Sequence, residues 1–269
     1  MLRQGIVCIL TWLVLAAPVQ AGDRLLVVNR LDSSLSVRDA ANGEELARLR
    51  TGRSPHEVAV SADATLAVVA DYGDSQPGNT LTVVDLASLA VARTIDLGGF
   101  RRPHGLAFLA DGRLLVTAEG ARRLLLVDPQ AGAVLADIET HGLGSHMVAS
   151  DGERAFVANM HSGTVAIVDI AQAKTTAVLK SGLGTESVAL VRGGNELWLV
   201  NPELNAVLVL DSTSFEGLAR IPCPGYPERI AITPDGTRAL VTAMGSGEVV
   251  VIDTVARTEI ARLAVPLER

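Results

Sequence analysis

A short, mostly apolar run closed by aspartate recurs six times along the chain: Ser36-Val37-Arg38-Asp39, Val83-Val84-Asp85, Leu126-Val127-Asp128, Ile167-Val168-Asp169, Val209-Leu210-Asp211 and Val251-Ile252-Asp253. Successive aspartates lie 46, 43, 41, 42 and 42 residues apart. Repeats of that length built from short apolar runs with regular turn signals predict a propeller, because helical repeats need longer stretches at a 3.6-residue period. The unit 226–265 shows four strands: Arg229-Ile230-Ala231-Ile232, a Pro234-Asp235-Gly236 turn, then 238–243, 248–252 and 259–265. Its first strand is apolar on both faces, as an innermost strand packed between neighbouring blades requires. The aspartates are predicted to accept backbone N–H bonds in the turns that follow them.

The predicted fold is therefore all-β, a six-bladed propeller of four-stranded blades. The first unit, 24–50, supplies only the second, third and fourth strands of a blade, and after the last unit no segment resembling Pro55-His56-Glu57-Val58-Ala59-Val60 follows to fill the gap. A three-stranded first blade and exposed strand edges at the seam are expected.

The strand pairs Val27-Val28-Asn29 with Leu35-Ser36-Val37, Val157-Ala158-Asn159 with 164–169, and Leu199-Val200-Asn201 with 207–211 resemble the YVTN-repeat β-propellers. The resemblance covers essentially all of residues 22–269. It implies the fold, while propellers of this kind serve as enzymes, electron-transfer modules and binding scaffolds alike.

The chain opens with Met1-Leu2-Arg3, an apolar run from Ile6 to Leu15, and Val19-Gln20-Ala21 before Gly22. That pattern predicts an export signal over 1–21 and one domain over 22–269, periplasmic or secreted, with no membrane span once the signal is removed. Loss of Cys8 leaves Cys223 alone, so no intrachain disulfide forms. Loss of Arg3 leaves 22 basic against 30 acidic residues, a formal charge of −8. With lysines only at 174 and 180, nucleic acid and anionic lipid are poor partners. Nothing in the sequence points away from a monomer.

Aligned innermost strands put His56, His104, His146, Glu186 and Glu228 at one phase of the repeat, which a propeller turns into a ring at one mouth of its channel. The second strands end on the same face, at Asn29, Asp71, Glu119, Asn159, Asn201 and Met244, with His161 close after Asn159. Three histidines from successive blades, assisted by Asp71, Glu119, Glu186 or Glu228, offer nitrogen and oxygen ligands suited to a divalent transition metal such as zinc, copper or iron. Asn159, His161 and Asn201 complete the expected small-ligand face. There is no Cys-x-x-Cys-His for covalent haem, and five histidines are too few for the copper cluster of the nitrous-oxide reductase propeller.

Three functions follow from this ring. The favoured one is a metal or small-ligand binding module without turnover. A metal-assisted hydrolase or lyase, lactonase-like, would use the same residues. A cell-envelope interaction scaffold would use an outer surface instead. The insertion 74–79 lengthens a loop on the candidate face. Ser145 lacks the G-x-S-x-G elbow of a nucleophile, while Phe156 and Trp198 are expected in the core.

Overall fold

The computed structural model describes residues 22–265. The expected export signal and the last four residues lie outside the described residues. Six antiparallel sheets follow one another along the chain, the first of three strands and the other five of four. The sheets occupy 24–50, 57–96, 103–139, 145–180, 187–222 and 227–264, and each is one blade of a six-bladed propeller. Each blade pairs its strands in sequence order, from an inner strand outward. The inner strands are Glu57–Val60, Pro103–Phe108, Ser145–Ser150, Ser187–Val191 and Pro227–Ile232. The first blade begins directly with the second-strand equivalent, Arg24–Asn29. No helix among the described residues is long and apolar enough to cross a membrane.

The repeated aspartates act as the sequence predicts. Asp39, Asp85, Asp128, Asp169, Asp211 and Asp253 each accept from backbone N–H groups two or three residues ahead, for example Asp85 Oδ1 from Ser88 N at 2.7 Å and Asp253 Oδ1 from Ala256 N at 2.7 Å. A second device recurs two places before the ring phase. Ser54, Arg102, Gly144, Gly184 and Tyr226 all have left-handed backbones, with φ between 48° and 79°. The chain thus makes the same turn each time it enters a blade, and glycine removes the steric cost at two of these positions.

Apolar clusters join each blade to the next. The one between the third and fourth blades includes Leu115, Leu124, Val157 and Ala166, and the one between the fifth and sixth includes Trp198, Val200, Val241 and Ile252. Comparable clusters join the first blade to the second, the second to the third, and the fourth to the fifth. None among the described residues joins the sixth blade to the first. The consequence is visible in the second strand of the sixth blade, Arg238–Ala243, where Ala239, Val241 and Ala243 are buried while Arg238, Leu240 and Thr242 are exposed. Its fifth-blade counterpart, Glu196–Asn201, is buried throughout because it has a blade on each side.

The insertion at 74–79 does not form a separate loop. It extends the second and third strands of the second blade to Leu66–Gly73 and Pro77–Asp85, closed by a turn at 74–76. Gly73 and Gly78 permit that turn, since a Cβ on Gly73 would stand 2.1 Å from the Gly78 nitrogen.

Trp198 is fully buried, donates from Nε1 to Glu196 at 3.0 Å, and is the only tryptophan in 22–269. Its fluorescence should therefore be blue-shifted and report the packing of the last two blades. Trp198→Ala should cost about 3–5 kcal/mol in denaturant unfolding followed by circular dichroism. A loss below about 1 kcal/mol would contradict this packing.

Candidate functional site

The three histidines meet. The rings of His56 and His104 have centroids 4.4 Å apart, and those of His104 and His146 are 3.8 Å apart, with tilts of 40° and 36°. Their closeness has a backbone cause. Thr117, fully buried, accepts from Gly105 N at 2.8 Å and donates to the His146 carbonyl at 2.6 Å, tying the third blade to the fourth. A Cβ on Gly105 would stand 2.5 Å from that carbonyl oxygen, so glycine is needed for the approach.

A circuit of side chains runs on from the histidines. His146 Nδ1 lies 3.2 Å from the Glu186 carbonyl oxygen. The Glu186 carboxylate accepts from Arg229 Nη1 at 2.8 Å, and Arg229 Nη2 and Nε donate to Glu57 Oε1 at 3.0 and 3.2 Å. Glu57 Oε1 in turn lies 3.4 Å from His56 Nδ1. The circuit passes through the second to the sixth blade and closes by the Arg229 side chain where the first blade has no inner strand.

Burial fixes the protonation of His104 and His146. His104 is 1% exposed, and its basicity falls well below the imidazole range through desolvation, reinforced by His146, His56, Arg229 and Arg30. His146 is pushed down to about 3, mainly by burial and then by the Arg229 charge, and is neutral at any ordinary pH. Burial also raises Glu186, with the Glu228 charge adding to it. Glu57 ends lower than usual although burial opposes this, because His56 and Arg229 favour its anion. One buried ring nitrogen, His104 Nδ1, has no hydrogen-bond partner among the described residues, and His56 Nδ1 has only the Glu57 carboxylate at 3.4 Å. An unsatisfied buried nitrogen is costly, and a ligand that accepts its lone pair removes that cost.

Two sets of possible metal ligands share His104: His56 with Glu57 and His104, and His104 with Glu119 and His146. Within each set the ligand atoms all lie within 4.8 Å of one another. Glu119 stands in a single 3-10 turn, Glu119–Ala121, and both its carboxylate oxygens lie 3.1 Å from the Tyr72 hydroxyl that donates to them. Tyr72 packs edge-on against His104 with centroids 5.4 Å apart.

The other expected residues are placed differently. Asp71 is buried away from both sets, accepting from Gly52 N, Thr80 and Thr82. Asn159 hydrogen-bonds Ser145 and Thr164, and Asn201 donates to the Gly182 and Leu183 carbonyls. All three tether the loop that enters their own blade, and a Cβ on Gly52 or Gly142 would collide with Asp71 or Asn159. His161 is exposed over Gly144, and Glu228 is half-buried beside Glu186; neither belongs to either ligand set. Of the second-strand residues only Glu119 joins the histidines. Cys223 is buried and its thiol is pushed up to about 11 by desolvation, which leaves it inert.

Glu57, Tyr72, Arg102 and Arg229 were not legible as site residues. Glu57 and Arg229 each follow a ring-phase residue, and simple alternation would turn them away from it. Pairing slips at the mouth end of three inner strands, between Pro103 and Leu106, Ser145 and Val148, and Pro227 and Ile230. Such bulges break the period-two rule where the site lies.

Fold and site together define a β-propeller of the repeat class with a histidine-lined mouth. The YNCE-like beta-propeller family model matches residues 6–132. The uncharacterized protein YncE of Salmonella typhimurium is 21% identical over 230 residues, and that of Salmonella typhi 22% over 232 residues. Both alignments cover 80% of this chain, which spans 64% of the length of those relatives. Among solved structures, a chain of Kuenenia stuttgartiensis hydrazine synthase superposes with a TM-score of 0.79 at 18% identity, covering 91% of this chain and 84% of that one. A functionally unknown protein from Desulfotomaculum acetoxidans gives 0.72 at 15% identity, covering 89% and 81%. At these identities the structural likeness shows the fold alone. The expectation of a β-propeller repeat family holds.

Two substitutions test the electrostatics. The Asp71 carboxyl is raised from 3.8 to about 6 by burial, so the folded state holds its proton more tightly than the unfolded state does. Its contribution is then complete below pH ~4 and is lost as pH rises through ~6, a swing of about 3 kcal/mol. Asp71→Asn, which copies Asn159 and Asn201, should gain on the native protein by up to that amount between acid and pH ~8. A pH-independent difference would contradict it. Arg229→Met should cost about 2 kcal/mol at neutral pH, because it leaves Glu57 and Glu186 facing each other unpaired. The loss should shrink as both carboxylates protonate, and a loss unchanged in acid would count against the bridge.

Proposed function

We propose that this chain is an exported binding module, periplasmic or secreted, that holds one divalent transition metal ion at the mouth of its propeller. The observation that carries the reading is His104 Nδ1, buried between two other imidazoles without a partner. Neutral imidazoles are the form that binds metal, and desolvation keeps His104 and His146 neutral. Hydrogen bonding from His146 Nδ1–H to the Glu186 carbonyl would leave Nε2 as the free lone pair, the arrangement in which a backbone oxygen orients a ligating histidine. A neutral imidazole has one lone pair to give, so His104 serves one ion at a time.

Of the two sets that share His104, the one with His146 and Glu119 is favoured. Glu57 already answers Arg229, and an ion bound there would sit beside that positive charge. Among the described residues the Glu119 carboxylate has only the neutral Tyr72 hydroxyl for a hydrogen-bond partner. Two histidines and one carboxylate with open positions suit iron or zinc, and a recruited His56 would move the preference toward zinc or copper.

Elemental analysis after loading with Zn2+, Co2+ or Cu2+ and gel filtration should find about one ion per chain. His104→Ala should weaken binding by at least about 100-fold while the circular dichroism spectrum and Trp198 emission stay native. Failure to retain any of the three metals, or unchanged affinity in His104→Ala, would overturn the proposal.

A further inference from the structure

Two arginines at the same mouth have no carboxylate partner. Arg30 donates from Nε to Ser54 Oγ at 3.0 Å, and Arg102 donates from Nη2 to the Asp74 carbonyl at 3.2 Å. Neither makes an ion pair among the described residues. Both guanidinium groups lie against the Tyr72 ring, Arg102 at 4.8 Å from its centroid and Arg30 at 5.9 Å. The same ring touches His56 and His104, with centroids 5.3 and 5.4 Å away. Tyr72 therefore stands between a pair of cations and the histidine cluster.

The second blade is built to hold Arg102 there. The lengthened hairpin of its second and third strands brings the Asp74 carbonyl over the mouth. The backbone of Arg102 is anchored on both sides, its N–H donating to Gly78 and its carbonyl accepting from Glu119. Asp74 answers Arg53 with its carboxylate, at 3.4 Å, which leaves Arg102 only the carbonyl.

The charges at the mouth specify what is missing. Arg30, Arg102 and Arg229 face Glu57, Glu119 and Glu186, with Glu228 beside Glu186. A divalent ion would leave the mouth positive by at least one charge, in a site where desolvation makes an uncompensated charge costly. Guanidinium forks match carboxylates two bonds at a time.

From this geometry we infer that the mouth is a receptor for a small dicarboxylate, one carboxylate completing the coordination of the metal and the other held by Arg102 and Arg30 across the face of Tyr72. This inference rests on the metal reading above and adds the class of ligand. Arg30 is exposed and Tyr72 is half-buried, so the arginine end of the site meets solvent, while His104 and His146 at the metal end are buried.

Cobalt-loaded full-length protein provides the test, because the visible spectrum of Co2+ reports its ligands. Malonate should perturb the spectrum saturably and more tightly than acetate does, and Arg102→Gln should weaken malonate about ten-fold with cobalt affinity unchanged. Arg30→Gln should act in the same direction. A cobalt spectrum indifferent to malonate would overturn the dicarboxylate inference and leave the metal site standing. So would a malonate affinity unchanged from that of the native protein in both arginine variants, whereas failure to bind cobalt would overturn both.

Discussion

The Arg229 guanidinium is the contact on which the mouth of this propeller depends. It reaches from the sixth blade to Glu57 of the second and Glu186 of the fifth, across the place where the first blade lacks an inner strand. A propeller is normally closed by backbone pairing, which buries apolar faces on both sides of every blade. Here, among the described residues, the sixth blade has no apolar cluster against the first, and Leu240 remains 36% exposed on the open face. Charge-assisted hydrogen bonds do at the mouth what strand pairing does not, and they do it with half-buried groups for which each bond is worth more than in water.

Closure by charge shapes the chemistry of the histidines. Arg229 lies close enough to depress both His104 and His146, in addition to the larger effect of burial. His104 and His146 are thereby held neutral, and Gly105 with the Thr117 bridge lets their strands approach. Glu57 and Glu186 are both bound by Arg229, whereas Glu119 accepts from the neutral Tyr72 hydroxyl. The same side of the mouth holds Arg30 and Arg102, whose charges are answered only by Ser54, a carbonyl and an aromatic face. A protein acidic overall thus places two arginines without an ion pair among the described residues at one pole.

The αL turn that opens each blade links these local features to the repeat. It sets the entry angle of every inner strand, so residues two places later arrive at a common height. That is why His56, His104 and His146 converge although 48 and 42 residues separate them in sequence. The polar residues that end the second strands serve the turn itself: Asp71, Asn159 and Asn201 fill the space above Gly52, Gly142 and Gly182 and bond the loop backbone. Their polarity reads in sequence like that of a binding face, and packing against a glycine is the only thing that distinguishes the two.

The sequence by itself determined the repeat, the four-stranded blade, the three-stranded first blade, the aspartate turns and the single phase shared by the histidines. All of these follow from periodicity, which is a property of the chain order. Tertiary structure alone decided that Glu119 and not Asp71 meets the histidines, that Arg229 closes the circuit, and that Arg30 and Arg102 share Tyr72. These depend on which way a side chain turns at a bulge and on contacts between blades far apart in sequence. A slip of one residue in strand pairing reverses the face of every side chain beyond it, and three of the five inner strands slip at the mouth.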